Sequence, residues 1–405
     1  MTTPSHANRD LMRAINRSTV LNTIKNHGPL SRTEIAKRTR LSAATVSAIT
    51  AELILSNLVF EKEAGDSSGG RRPILLALNP RGGFVIGMKL AEDHVTGALT
   101  DLEASIVAKT TLPLPAGTVD TAIDTMAAAV DALHSSAGNF REKLLGVGVG
   151  LAGIIDHRQG ELRYSPIFGW RSIPLAALLE ARLQVDVRID NDVNTLTFTE
   201  LWFGRGKGVE NFLTITVGRG IGLGIVVNGQ VYQGLQGGVG EFGHTSFDPE
   251  GPLCACGKRG CLETYAADPG LLRMANEAQA RGELLAGSLT VEELCCLAES
   301  GHPTARAIYT QAGAALGLGI ANLINVLNPQ LIILSGEGVR AGEVLFAPMR
   351  AMMQAQVMPG LSADTRFQID DWDDSAWARG AAGMILRDLF ESPIHHEPAR
   401  LASLF

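Results

Sequence analysis

The chain has 405 residues, 45% of them hydrophobic and 19% charged, which reads as a globular protein with room for two or three domains. It has no run of eighteen apolar residues and no basic start followed by an apolar stretch, so neither a membrane span nor a secretory signal is expected. Residues 1–80 hold eleven Lys/Arg against six Asp/Glu and the remainder twenty-four against thirty-six, which fits a small nucleic-acid module joined to a larger acidic body.

Asn8 to His27 has apolar Leu11, Ile15, Val20, Leu21 and Ile24 near helical spacing, and Gly28-Pro29 stops it. Ser31-Arg-Thr-Glu34 is a capping box that opens a short helix to Thr39. After a tight turn at Arg40-Leu41, Ser42 caps a second helix reaching Ser56. Two short helices across a tight turn form a helix-turn-helix. Small residues at the start of the second helix let its backbone approach the major groove. Thr33, Ser42, Ala44, Thr45 and Ser47 are the candidates for base edges or phosphates. Arg32, Lys37, Arg38 and Arg40 are candidates for phosphate contacts. Leu58–Glu63 and Arg71–Leu78 flank a Gly-rich loop and read as a hairpin wing, with Arg71 and Arg72 suited to a narrow minor groove. The alternative is a small helical bundle with a solvated basic face.

From Gly83 the pattern changes. Three strands are predicted near 84–90, 94–100 and 105–110, then an Ala-rich helix over 118–136 and a strand from Leu144 into a Gly-rich turn. A second cycle starts at Asn211, with a strand over 212–217, a turn Gly218-Arg-Gly-Ile-Gly-Leu-Gly224 and a hairpin over 225–232. Long helices follow, notably Ala305 to Leu327, then a strand from Gln330. Two halves, each with strands first and helices after, predict a duplicated α/β architecture with a cleft between them. Asn191 and Asp192 follow a predicted strand over 185–189 and precede a predicted helix over 195–203. They either face a ligand at the carboxyl end of the strand or cap the helix.

Glu241 to Glu263 holds three of the five cysteines within eight residues, Cys254, Cys256 and Cys261, with His244 ten residues earlier. Four N and S donors at this spacing suit one tetrahedral Zn²⁺ with no open position, so the metal is expected to be structural. It would clamp the loop and fix the carboxylates of Glu241 and Glu263. Free thiols or a disulfide are the alternatives, and His244 has the further option of serving the pocket. A reducing cytoplasm fits the cysteine usage. Cys295 and Cys296 sit in a helical pattern and read as packing residues.

Glu241-x-Gly-His244, Cys254-x-Cys256-Gly-x-x-Gly-Cys261-x-Glu263 and Asn191-Asp192-x-Asn194 resemble the ROK family (repressors, open reading frames and sugar kinases) along nearly the whole chain. The winged helix makes it similar to the repressor branch, which includes the xylose repressors. The resemblance implies an N-terminal winged helix-turn-helix followed by a two-lobed, actin-like sugar-kinase fold. The implied boundaries are 1–80 for the DNA-binding domain, 81–200 for lobe 1 completed by a helix over 376–390, 201–375 for lobe 2 with the zinc loop 241–263, and a tail over 391–405. It also implies one zinc per chain on His244, Cys254, Cys256 and Cys261. Sugar contacts are implied at Asn191, Asp192, Glu241, His244 and Glu263, with Gly153 nearby. The loop over 166–171 is expected to tune which sugar binds.

In the kinases of this family the position of Asp192 is the general base. The first phosphate hairpin, usually Asp-x-Gly-Gly-Thr, reads Ile86-Gly-Met-Lys89-Leu-Ala91 here, and the second has Arg219 where the family has Thr. Without the metal-binding Asp the developing phosphoryl charge loses stabilisation. The expectation is therefore a cytoplasmic, sugar-responsive repressor, a homodimer or homotetramer on operator DNA, with no membrane and no kinase activity. An active sugar kinase with a DNA-binding head is the alternative.

Overall fold

A computed structural model of the chain describes residues 9–63, 73–138, 140–285, 287–361, 365–370 and 373–390. Arg71, Arg72 and the tail over 391–405 lie outside the described residues. The chain divides into two compact units, one of residues 1–149, 176–188 and 381–405, the other of 150–175 and 189–380.

The amino-terminal head comprises α1 (Arg9–His27), β1 (Leu30–Ser31), α2 (Arg32–Thr39), α3 (Ala43–Leu55), β2 (Val59–Glu63) and β3 (Ile74–Leu78), with sheet order β1-β3-β2. The expected capping box is present. Ser31 Oγ accepts from Glu34 N–H at 3.2 Å, and Glu34 Oε2 accepts from Ser31 N–H at 3.0 Å. Arg40 takes the left-handed conformation, φ 58°, that ends α2, and Ser42 Oγ accepts from Thr45 N–H at 3.1 Å to start α3. Val20, Ile24, Ile35, Val46, Leu53 and Leu76 are buried and form the head's core.

The next strands are β4 (Phe84–Leu90), β5 (His94–Asp101) and β6 (Ile106–Pro113), followed by α4 (Val119–Ala137) and β7 (Leu144–Leu151). Ala122, Met126, Ala129, Val130 and Leu133 form a buried stripe at helical spacing on α4, which packs on β5 and β6. A small sheet of β8 (Ile154–Asp156), β9 (Glu161–Tyr164) and β10 (Arg171–Ile173) precedes α5 (Leu175–Leu183), β11 (Val187–Asn191) and α6 (Asp192–Trp202).

The second cycle is β12 (Phe212–Val217), β13 (Ile221–Val227), β14 (Gln230–Val231), α7 (Glu263–Ala266), α8 (Asp268–Ala280), α9 (Val291–Glu299), α10 (Pro303–Leu327), β15 (Leu331–Ser335), α11 (Glu343–Gln356), β16 (Arg366–Ile369) and α12 (Asp374–Phe390). The larger sheets run β6-β5-β4-β7-β11 and β14-β13-β12-β15-β16. Numbered within each cycle, both read 3-2-1-4-5, which is the duplication expected from the sequence. β12 and β15 pair in parallel and are buried along their length, as near-continuous apolar runs require. α10 is apolar and long enough to cross a bilayer by length and composition, but Ala312, Leu316, Ile320 and Ile324 are buried in the core of its unit.

Two local expectations are corrected. The strand before Asn191 runs Val187–Asn191, and the helix begins at Asp192 rather than Thr195, because Asn191 itself caps it. The glycine run over 218–224 is a turn only at 218–220. A Cβ on Gly222 would stand 2.4 Å from Val193 Cγ2, and one on Gly224 1.8 Å from Thr197 Oγ1. Those two glycines lie inside β13 and let α6 pack on the strand. The hairpin that follows turns at Asn228-Gly229, φ 53° and 72°, the pair a type I′ turn favours.

Candidate functional site

The loop between β14 and α7 brings four ligating atoms together. His244, Cys254, Cys256 and Cys261 each offer one donor, and all four lie within 4.8 Å of one another. His244 Nδ1 is 3.5 Å from Cys254 Sγ, and Cys256 Sγ is 3.6 Å from Cys261 Sγ. Thiolates on a tetrahedral zinc stand about 3.8 Å apart. The donor set therefore fits a closed metal site, and all five cysteines are free of disulfides. Bridges Ser246↔Cys261 and Leu253↔Arg259 set the loop's shape, and Lys258 Nζ donates to His244 O at 2.6 Å. Tyr265 OH donates to Asp248 Oδ2 at 3.0 Å, pinning the loop to the start of the helical layer.

The carboxylates border this cluster. Cys254 donates to Glu263 Oε1 at 3.0 Å, and the same oxygen lies 3.3 Å from His244 Nδ1. On the far side of the imidazole, Nε2 lies 3.8 Å from Glu241 Oε2, close enough for an ion pair but too long for a hydrogen bond. Burial and Glu263 push the Cys254 thiol up, a preference that a bound dication reverses. Glu241 is also pushed up, first by desolvation and then by the carboxylates of Asp192 and Glu263, with His244 opposing. Glu241 thus feels Asp192 and Glu263 as like charges. Ionised carboxylates are acceptors only, so this set favours a neutral, hydroxyl-rich ligand over an anion.

Asn191 is committed on two sides. Its Oδ1 accepts from Val193 N–H at 2.8 Å, the capping role, and its Nδ2 donates to Gly153 O at 3.0 Å. Gly153 has φ 140°, and a Cβ there would stand 2.4 Å from Tyr164 O, so only glycine fits. Asn191 retains one N–H and one lone pair for a ligand. Sequence reasoning missed Asp190, which is 1% exposed. Its carboxylate accepts from Asn191 N–H at 2.7 Å and Asn194 Nδ2 at 2.8 Å, and also from Gln233 Nε2. It holds the Asn191-Asp192 corner beneath the surface. In the loop over 166–171, Phe168 and Trp170 stack with ring centroids 4.4 Å apart.

In the head, Thr33, Ser42, Ala44 and Ser47 are exposed, as are Lys37, Arg38 and Arg40, and Thr45 is half-buried. Arg32 is held within the fold. Its Nε donates to Thr50 Oγ1 at 3.1 Å and its Nη2 to Glu61 Oε1 at 2.9 Å, tying α2 to α3 and the wing strand.

The ROK family model matches residues 85–388, and a MarR family model matches residues 14–72, the head. The DNA-binding transcriptional dual regulator NagC of Escherichia coli is 32% identical over 354 residues, covering 87% of each chain. The xylose repressor of Bacillus spizizenii is 29% identical over 388 residues, covering 95% of this chain and 98% of that one. Among solved structures, a ROK family transcriptional regulator described as a homolog of the E. coli MLC protein superposes with a TM-score of 0.82 at 26% identity. That match covers 94% of this chain and 98% of the other. With three quarters of its length matched by one family model and a regulator aligned over nearly all of it, the chain belongs to the ROK family.

Proposed function

We propose that the protein is a sugar-responsive, DNA-binding transcriptional repressor of carbohydrate-metabolism genes, whose kinase-like part binds its effector without phosphorylating it. The observation that carries this reading is the pairing, in one chain, of a capped helix-turn-helix with the cluster of Asp192, Glu241, His244 and Glu263. The regulators it matches along most of their length support the same reading.

Exposed side chains at the start of α3 contact base edges, and Lys37, Arg38 and Arg40 contact phosphates. Asp192, Glu241 and Glu263 accept hydrogen bonds from sugar hydroxyls, and the remaining N–H and lone pair of Asn191 complete the set. Gly153 and Asp190 hold the corner that presents them. His244, Cys254, Cys256 and Cys261 would hold a structural Zn²⁺, which supplies a rigid cross-link between the loop and both glutamates. Phosphoryl transfer is disfavoured because β4 carries buried Lys89 in the stretch that resembles the kinases' aspartate-bearing hairpin, so Asp192 serves as an acceptor rather than a base. The protein acts as a homodimer or homotetramer in the cytoplasm, its paired heads matched to a near-palindromic operator. The sugar weakens DNA binding because it binds better to a conformation with low DNA affinity.

Fluorescence anisotropy with the DNA upstream of the protein's own gene, titrated without and with a panel of xylose, glucose and N-acetylglucosamine, tests this. The expected result is tight, salt-sensitive binding that one sugar weakens. Absence of specific binding together with ATP-dependent sugar phosphorylation would establish the kinase alternative instead.

A further inference from the structure

α10 carries a buried glycine in mid-helix, Gly319, where alanine would be the better helix former. The room it leaves is filled by the loop over 241–263. A Cβ built on Gly319 would stand 2.8 Å from Phe242 Cζ and 2.9 Å from Leu262 Cδ2, closer than carbon atoms pack. Phe242 and Leu262 are 4% and 1% exposed, so neither swings aside into solvent. Each is the chain neighbour of a carboxylate already described: Phe242 follows Glu241, and Leu262 precedes Glu263. The same segment lies against β13 as well. A Cβ on Gly240, φ 86°, would stand 1.9 Å from Leu223 O, and one on Gly243 2.5 Å from Ile221 O. Thr245 N–H donates to Phe242 O at 3.0 Å, and Leu262 N–H donates to Thr245 O at 3.0 Å, which ties the two ends of the loop together. Glu263 Oε2 stands 3.3 Å from the Cβ position of Gly243. One seat, made of α10, β13 and these hydrogen bonds, therefore sets both carboxylates.

We propose that Gly319 is a positioning residue for the effector site: bare backbone at this point of α10 seats Phe242 and Leu262 and so holds Glu241 and Glu263 where a sugar's hydroxyls meet them. This rests on the reading of Glu241 and Glu263 as sugar-binding carboxylates and names the residue outside the pocket that places them. A methyl group at 319 drives the ring and Leu262 off the helix. The displaced turn then meets β13 at Gly240 and Gly243, where the backbones already touch, so the movement passes into Glu241 and Glu263. A binding set whose supporting contacts shift in this way loses affinity without losing any of its own groups.

The test is isothermal titration calorimetry of the full chain with xylose, glucose and N-acetylglucosamine, on wild type, Gly319→Ala, Phe242→Leu and the double variant. The wild type is expected to bind one of the three, and Gly319→Ala to bind it about tenfold or more weakly, with unchanged operator affinity in the absence of sugar. Phe242→Leu alone, which loosens the seat, is expected to lose about threefold. The double variant is expected to return to within about threefold of wild type, because the new methyl fills the space the ring vacates. Folding of each variant is read from its melting transition. If Gly319→Ala does not melt cooperatively, Phe242→Leu and the double variant carry the test, and a folded double variant that binds within threefold of wild type supports the seat. A folded Gly319→Ala that binds sugar as tightly as wild type overturns this inference alone. So does a double variant that stays unfolded, or one in which the two losses simply add. A wild type that binds none of the three sugars overturns the effector reading and this inference with it.

Discussion

The metal-type loop and the DNA-binding head are ordered by different physics. The head is ordered by local sequence rules. A capping box, a left-handed residue at the end of α2 and a second cap shape the helix-turn-helix, and Ile35, Val46 and Leu53 seal it. The loop over 241–263 contains little regular structure beyond two isolated bridges and a short 3-10 turn. Bridges and hydrogen bonds such as Tyr265 to Asp248 shape it, and it brings four donor atoms to one point, with Glu241 and Glu263 beside the imidazole. One region is held by many small terms; in the other, a metal bound as proposed would add one large one.

That contrast is sharpest when the large term is removed. Cys261→Ser, or treatment with a strong chelator, is expected to cost about 4 kcal/mol or more. Hydrogen exchange should show the loss concentrated in 241–263 while α2 and α3 keep their protection, with metal content read by elemental analysis. In the head, Ile35→Ala is expected to cost about 2–5 kcal/mol, lowering the melting transition and DNA affinity while leaving metal content unchanged.

A smaller effect lies just after the loop, at Asp268, which burial and Glu337 push up to about 6. Its folded value lies above its unfolded value, so the native state binds more protons and stability falls as pH rises through that interval. Asp268→Asn is therefore expected to be more stable than the wild type at pH 7.5 by about 1–2 kcal/mol, with the gain absent at pH 3.5. Melting curves at the two pH values check the sign. The smallest change is Ser31→Ala, which removes one cap and is expected to cost about 1 kcal/mol, weakening DNA binding with no change in metal content.

What the sequence made legible follows the same division. Ser31-Arg-Thr-Glu34 was readable because both partners of a capping box lie in four residues. The Cys3His set was readable because its donors are close in sequence and chemically distinctive. The glycines over 218–224 were over-read as one turn, since sequence does not separate a glycine needed for a turn from one that lets α6 sit on β13. Asn191 carried two readings, and its geometry serves the cap while keeping capacity for a ligand. Asp190 with Gln233, and Glu337 with Gly218, were illegible because their partners are 43 and 119 residues apart and meet only through the sheet order.

The most direct measurement compares wild type and Asp192→Asn side by side, titrating the same operator DNA with the sugar that releases it. The expected result is equal DNA affinity without sugar, release by sugar in the wild type, and release shifted to about tenfold or more higher sugar in the variant, because a carboxylate acceptor has become an amide. An Asp192→Asn protein that releases DNA at the same sugar concentration as the wild type would contradict the assignment of this cluster as the effector site.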